Sequence, residues 1–136
     1  MTDGRRLSDE ERKLVAAAKK VRSKAYAPYS NYRVGAAILD REGRIYTGVN
    51  VENASYGLTV CAERNCAHTA IVQGSKDWQA IAVVTENGGS PCGACRQVLR
   101  EFNPSLKVLI SDESGNYLRQ TTIENLLPHS FGPESF

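Results

Sequence analysis

The chain has 136 residues, of which 41% are hydrophobic and 24% charged, and its formal net charge is +2. This length suits one globular domain, residues 1–136, that buries roughly two-thirds of its surface on folding, and it argues against a second domain. More than half of the Lys and Arg residues precede Val34, mostly within one predicted helix. This distribution favours a solvated helix face over a nucleic-acid-binding stripe, so we expect no nucleic-acid partner.

The amino terminus carries charged residues and no apolar run, which argues against a signal peptide and a membrane span. The charged positions are Asp3, Arg5, Arg6, Asp9, Glu10 and Glu11. We therefore expect a cytoplasmic protein without a membrane partner. In that reducing compartment, the four cysteines are more typical of metal ligands, catalytic groups or core residues than of disulfides.

The first predicted helix begins at Ser8, whose hydroxyl can form a capping box with the Glu11 carboxylate. Apolar residues then recur at helical spacing, so one face of this helix should pack on the domain. These residues are Leu14, Val15, Ala18, Val21 and Ala25. Because proline restricts the residue before it, we expect the helix to end at Pro28.

Two predicted strands, residues 34–39 and 44–50, flank the turn sequence at residues 40–43 and should form an antiparallel hairpin. The following stretch, residues 50–57, is polar, irregular and too long for a tight turn. Loops that carry function often have this character. Small and apolar residues over 62–73 then predict a buried helix that closes at Gly74.

The rest of the chain alternates between strands and helices. Strands are predicted at residues 80–85, 107–111 and 117–121, with helices near residues 95–102 and 123–127. This alternation predicts an α/β fold, a three-layer α/β/α sandwich. Its mixed five-stranded sheet should have helices on both faces and parallel pairs in its second half.

Two cysteine motifs carry the chemistry: residues 61–64 (CAER) and residues 91–95 (PCGAC). A ligand-x-Glu followed by Pro-Cys-x-x-Cys is the signature of zinc deaminases that act on nucleobases. Three sulfurs could hold one zinc ion and leave its fourth position for water, with Glu63 close by but not coordinated. Both motifs should lie where a strand leads into a helix, because a helix amino terminus lowers thiol pKa values.

An ideal helix places Glu63 about 200° around its axis from Cys61. Cys61 should therefore lie at the helix edge, where the backbone is not yet regular, if both are to face one cavity. Cys66 is expected to be a small core residue. Arg64 and Arg96 are candidates to donate hydrogen bonds to the sulfurs and withdraw charge, although either could be a surface arginine.

A structural zinc site would use a fourth protein ligand. The two histidines of the chain, His68 and His129, lack the spacing of a ligand partner to Cys92 and Cys95, and we expect each to be a packing or surface residue. Three ligands beside a waiting carboxylate favour hydrolysis.

These residues resemble the small, homotetrameric class of the cytidine deaminases, over about residues 26–131. The matching segments are residues 27–30 (APYS), 34–37 (VGAA), 50–57 (NVENASYG), 61–64 (CAER), 90–97 (SPCGACRQ) and 127–128 (LP). The resemblance implies zinc-dependent hydrolytic deamination of cytidine and deoxycytidine to uridine and deoxyuridine, in pyrimidine salvage. It further implies one Zn²⁺ per chain on Cys61, Cys92 and Cys95, with Glu63 as the proton shuttle.

The resemblance also implies substrate contacts. Asn50 and Glu52 match residues that hold the ribose hydroxyls, and Ala62 matches a position whose backbone reads the base. Tyr32 replaces a phenylalanine that usually stacks near the pyrimidine. The positions that approach a neighbouring subunit's site are Ala54, Tyr56 and Phe131, so the family pattern implies a homotetramer with shared active sites.

Three features depart from the family pattern, and they concern the substrate range rather than the reaction. Tyr32 adds a hydroxyl to the stacking wall, the loop at residues 86–90 is short, and His68 occupies a position where a larger apolar residue is common.

The alternative functions are a deaminase of modified cytidines and a deaminase of an aminonucleoside antibiotic. The nearest of these is the blasticidin S type, which shares the zinc motifs. The sequence at residues 52–56 (ENASY) resembles a nucleoside-binding loop and argues against it. Deaminases of polynucleotides usually have histidine in place of Cys61 and need a basic channel lined by aromatic residues. Trp78 is more plausibly a core residue than part of such a channel. A structural zinc module, from a different functional class, would show no hydrolysis.

Overall fold

A mixed sheet of five strands forms the centre of the fold in a computed structural model that describes residues 6–136. The strands are β1 (Gly35–Asp40), β2 (Ile45–Val49), β3 (Trp78–Val84), β4 (Lys107–Ser111) and β5 (Tyr117–Thr122). Their order across the sheet is β2-β1-β3-β4-β5. The mixed five-stranded sheet is confirmed, but only β3 and β4 run parallel, so the expectation of several parallel pairs is wrong.

Helices cover both faces of this sheet, which confirms the three-layer sandwich. They are α1 (Asp9–Val21), α2 (Ala62–Val72), α3 (Gly93–Phe102) and the short α4 (Ile123–Leu126). The core under α1 contains Leu14 with Leu39, while the core on the other face contains Cys66 and Leu99. Trp78 is fully buried in that second core, as the sequence predicts. Within residues 6–136, the helices lack the length and apolar character needed to cross a membrane.

The capping box at the start of α1 is confirmed. The Ser8 hydroxyl accepts from the Glu11 backbone N–H at 3.2 Å, and the Ser8 N–H donates to the Glu11 carboxylate at 2.9 Å. The residues before Arg6, including the charged Asp3 and Arg5, lie outside the described part of the chain.

The predicted end of α1 at Pro28 is wrong, because the α-helix ends at Val21 and a 3₁₀ turn follows at Arg22–Lys24. The cause is a distant pairing. The Tyr26 N–H donates to the Asn50 carbonyl at 3.0 Å, and the Glu52 N–H donates to the Tyr26 carbonyl at 2.8 Å. These bonds draw the chain away from the helix axis and bring residues 26–34 beside the loop that begins at Asn50.

Small residues allow α2 to pack closely on β2. Ala62, Cys66 and Ala67 are fully buried on the sheet side of the helix, opposite Gly48. A Cβ added at Gly48 would lie 2.4 Å from the backbone nitrogen of Cys66, so the two backbones nearly touch. This contact fixes the position of the helix that carries Glu63.

Replacing Gly48 with alanine should therefore destabilise the fold by roughly 1–3 kcal/mol, because backbone atoms of α2 must move. The matched control is Gly57→Ala, since a Cβ at Gly57 meets nothing within 4 Å. Urea unfolding measures both free energies. A Gly48→Ala protein with the wild-type urea midpoint would contradict the close approach.

Candidate metal centre and active site

Three cysteine sulfurs converge where α2 and α3 begin. Cys61 is the N-cap of α2, Cys92 is the N-cap of α3, and Cys95 lies in the first turn of α3. The Sγ atom of Cys92 lies 3.8 Å from that of Cys61 and 3.5 Å from that of Cys95. All three Sγ atoms lie within 4.8 Å of one another. Both motifs therefore begin helices, as expected.

The spacing of the sulfurs suits one zinc ion. Two sulfurs bound at 2.3 Å with tetrahedral angles are about 3.8 Å apart. The two measured separations, 3.8 and 3.5 Å, are close to that value. Cys66 points elsewhere: its thiol is fully buried and donates to the Tyr46 carbonyl at 3.1 Å.

The electrostatics of the three thiols also call for a cation. A hydrogen bond from Cys95 and one from Arg64, whose Nη2 lies 3.5 Å from the sulfur, lower the pKa of Cys61 to about 5. The same Cys61 sulfur, together with burial and the charge of Glu63, raises the pKa of Cys95. The protein by itself thus favours one thiolate, and a divalent cation would allow the others to ionise.

Glu63 is buried beside these sulfurs, with 5% of its surface exposed. Burial raises the pKa of its carboxyl to about 7, and the negative charge of Cys61 adds to the increase. Cys61 has extended backbone angles, φ −69° and ψ 155°, so it lies at the irregular helix edge that the sequence predicts. Glu63 and Cys61 consequently line the same cavity.

This cavity has a volume of about 270 Å³, and Cys61 and Cys92 both line it. Three segments form its walls: residues 30–34, residues 50–63 and residues 83–92. The residues that line it include Tyr32, Asn50, Glu52, Thr85 and Gly89. The volume is near the lower end of typical small-ligand sites.

Asn50 holds one wall of the cavity in place. Its Nδ2 donates to the Tyr32 carbonyl at 2.8 Å, and its Oδ1 accepts from the Val34 N–H at 2.9 Å. The side chain is 8% exposed. An amide has two donor hydrogens and two acceptor lone pairs, so one of each remains for a ligand.

Glu52 holds the next segment of the same wall. One carboxylate oxygen accepts from the Tyr29 N–H at 2.9 Å and from the Ser30 N–H at 3.2 Å, and the other accepts from the Ser30 hydroxyl. The Ser30 hydroxyl and these backbone donors lower the pKa of Glu52. The cavity edge therefore presents an ionised carboxylate.

Comparisons with known proteins agree with this geometry. The family model described as the cytidine and deoxycytidylate deaminase zinc-binding region matches residues 8–111. The chain belongs to this family. Zinc is the metal of this family, and Cys61, Cys92 and Cys95 form the cluster able to hold it.

Individual relatives are similar along most of their length. A cytidine deaminase of Sporosarcina psychrophila is 46% identical over 125 residues, covering 90% of this chain and 91% of the relative. The crystal structure of cytidine deaminase from Burkholderia pseudomallei is 45% identical, with a TM-score of 0.85, over 92% of this chain and all of that chain. The corresponding structure from Mycobacterium tuberculosis is 40% identical, with a TM-score of 0.78, over 88% and 95%.

Four residues singled out from the family pattern do not line the cavity within one deaminase chain. Ala62 is fully buried at the first position of α2. Tyr56 and Phe131 are 75% and 60% exposed, and Ala54 is exposed as well. Tyr56 instead lines a neighbouring cavity of about 360 Å³ that shares Glu52 with the first.

The two arginines differ in what they contact. Arg64 donates to the Cys61 sulfur, as noted above. Arg96 donates to the carbonyls of Pro91 and Leu126, each at 2.7 Å, and to the Ser90 hydroxyl at 3.1 Å. The sequence left Arg96 open between a sulfur donor and a surface arginine, and the first of these is wrong: all three of its nitrogens donate to oxygen, and it holds the segment before Cys92.

The sequence did not single out three residues around the cavity. The Ser30 hydroxyl donates to Glu52. The Asn87 side-chain oxygen accepts from the hydroxyls of Thr85 and Tyr32. The sequence feature that could have identified Asn87 is its position in the short loop that departs from the family pattern. Both histidines are exposed and neither belongs to the cysteine cluster.

Cys92→Ala should lower zinc affinity by more than about 100-fold, because even the loss of a group that only supports a metal ligand costs 10- to 100-fold. Cys66→Ala is the matched control and should keep about one zinc per chain, since its sulfur faces the core. Metal content after dialysis against a chelator checks both, and circular dichroism verifies folding. Equal zinc content in the two variants would contradict the assignment of the cluster.

Proposed function

We propose that this protein catalyses the hydrolytic deamination of cytidine and deoxycytidine to uridine and deoxyuridine, with release of ammonia, in pyrimidine salvage. The observation that carries this function is a buried carboxyl, Glu63, beside a three-cysteine centre in a cavity edged by Asn50 and Glu52. The names of the relatives support it, because those reported above are cytidine deaminases.

The role of Glu63 follows from its position and its pKa. Zinc bound by Cys61, Cys92 and Cys95 would activate water for attack at neutral pH. Glu63, with a pKa of about 7, can accept one proton of the attacking water and deliver it to N3 of cytosine, where it remains. Glu63 can then carry the second proton, from the new hydroxyl on C4, to the departing amino group. One C4–O bond forms, the C4–N bond breaks, and the amine leaves as ammonia.

The polar groups at the cavity edge suit a ribose. Glu52 keeps acceptor capacity after its three hydrogen bonds, since a carboxylate offers about four lone-pair sites. Asn50 keeps one donor and one acceptor. The carboxylate and amide can therefore bind the sugar hydroxyls, and Tyr32, which lines the cavity, can border the pyrimidine. The role of the Ala62 backbone in reading the base rests on the family pattern alone, because Ala62 does not line this cavity.

Glu63→Gln should retain zinc and lose turnover of cytidine by at least roughly 10²- to 10⁴-fold, because the amide cannot carry the proton. Glu124→Gln, an exposed position on α4, is the control and should be unchanged. The decrease in cytidine absorbance measures turnover, and metal analysis measures zinc. A Glu63→Gln enzyme near the wild-type rate would overturn the assignment.

The substrate itself is tested with a panel of cytidine, deoxycytidine, cytosine, N4-substituted cytidines and blasticidin S. Highest kcat/KM on cytidine or deoxycytidine supports the proposed function. Highest kcat/KM on blasticidin S would favour the antibiotic deaminase, and an inert but zinc-loaded protein would favour a structural zinc module.

We further propose a homotetramer in which neighbouring chains complete each cavity. The support is the exposure of three residues that the family pattern assigns to a neighbour's site: Ala54, Tyr56 and Phe131. Contiguous exposed apolar patches are typical of interaction surfaces. A cytoplasmic location stays a prediction from the sequence.

Sedimentation should give four times the chain mass, and subunit mixing tests whether sites are shared. Phe131→Ala and Glu63→Gln chains, each expected to be impaired, are co-expressed. A site with Glu63 from one chain and Phe131 from another is then intact, so activity should exceed the sum of the two parents. Activity equal to that sum, or a monomeric mass, would contradict shared sites.

A further inference from the structure

Tyr32 is hydrogen-bonded to the loop that precedes the second cysteine motif. Its phenol Oη donates to the Asn87 Oδ1 at 2.8 Å. The same Oδ1 accepts from the Thr85 hydroxyl at 3.4 Å, and the Thr85 hydroxyl accepts from the Gly89 N–H at 2.8 Å. We call these four residues the latch, because they tie residues 26–34 to the loop at residues 86–90.

Packing around Gly89 shows how closely the phenol fits. A Cβ added at Gly89 would lie 2.7 Å from the Tyr32 Oη. The next nearest atoms, Asn87 Oδ1 and Thr85 Oγ1, would lie 3.7 and 3.8 Å away, which is ordinary contact. The hydroxyl of Tyr32 is therefore the atom that a side chain at position 89 would displace.

The latch belongs to the wall of the active-site cavity. Tyr32, Thr85 and Gly89 all line it, and Ser90 continues the wall towards Cys92. Two departures from the family pattern, the tyrosine and the short loop, are thus partners in one hydrogen-bonded unit. A phenylalanine at position 32 would leave the Asn87 carbonyl oxygen with Thr85 as its one remaining donor among these contacts.

We propose that Tyr32 and Asn87 are positioning residues that hold residues 86–90 as a preformed wall for the nucleoside. The proposal rests on the proposed function for its substrate. A loop that already has its bound arrangement loses little conformational entropy when the substrate binds. The latch therefore raises substrate affinity and leaves the proton transfer by Glu63 unchanged. Loss of one such hydrogen bond corresponds to roughly 2- to 10-fold in affinity.

Steady-state kinetics on cytidine provide the first test. Tyr32→Phe and Asn87→Ala should each raise KM by roughly 2- to 10-fold with kcat within about 2-fold. The double variant should be no worse than the poorer single variant, because both remove the same bond. Asn87→Asp retains an acceptor oxygen and should restore a KM near wild type. Additive effects in the double variant would overturn the latch.

The steric fit provides a second, independent test. Gly89→Ala alone should raise KM, since the added methyl meets the Tyr32 hydroxyl. In the Tyr32→Phe background the same substitution should cost less, because the obstructing atom is gone. An equal cost in both backgrounds would contradict the fit.

Hydrogen exchange tests the latch without substrate. Residues 86–90, including the Gly89 amide, should exchange faster in Tyr32→Phe than in wild type. Tyr46→Phe is the matched control, because it removes a tyrosine hydroxyl bond to Asp40 outside the cavity and should change neither exchange in this loop nor KM. Unchanged loop exchange in Tyr32→Phe would overturn the latch. A wild-type protein inert on cytidine would overturn the proposed function, while the exchange comparison would still decide the latch.

Discussion

The arrangement of the molecule depends on holding three cysteine sulfurs within 4.8 Å of one another. Hydrogen bonds from Cys95 and Arg64 stabilise one thiolate, on Cys61, and the presence of that sulfur in turn opposes ionisation of Cys95. A second and third negative charge at that distance need a bound cation. Both helices must therefore begin at one point, and they can do so because α2 and α3 lie on the same face of the sheet.

The same helix packing gives Glu63 its chemistry. Because Gly48 lets α2 lie almost against β2, the carboxyl is enclosed and its pKa rises to about 7. A buried carboxyl without an ion-pair partner normally opposes folding. In this protein the same burial allows Glu63 both to accept and to release a proton near neutral pH, as an acid–base catalyst must.

Sequence reasoning succeeded where the determinants are local. The Ser8 capping box, the turn before β2 and the two cysteine motifs each depend on residues a few positions apart. It failed where distant groups decide: α1 ends early because Tyr26 pairs with the loop after Asn50, and Arg96 bonds the Leu126 carbonyl, thirty residues away. The partnership of Tyr32 with Asn87 spans 55 residues and has no local signature.

Asn50 and Glu52 both support the cavity wall and offer hydrogen bonds to a ligand. Asn50 and Glu52 already bond the backbone at residues 29–34, so their side chains are fixed before any ligand arrives. Their remaining hydrogen-bonding capacity points to a partner with several hydroxyls, as a ribose has. A fixed polar edge favours a ligand that pairs with these groups over one that leaves them unpaired. In the proposed function, the groups that bind the sugar are therefore the same groups that hold the wall together.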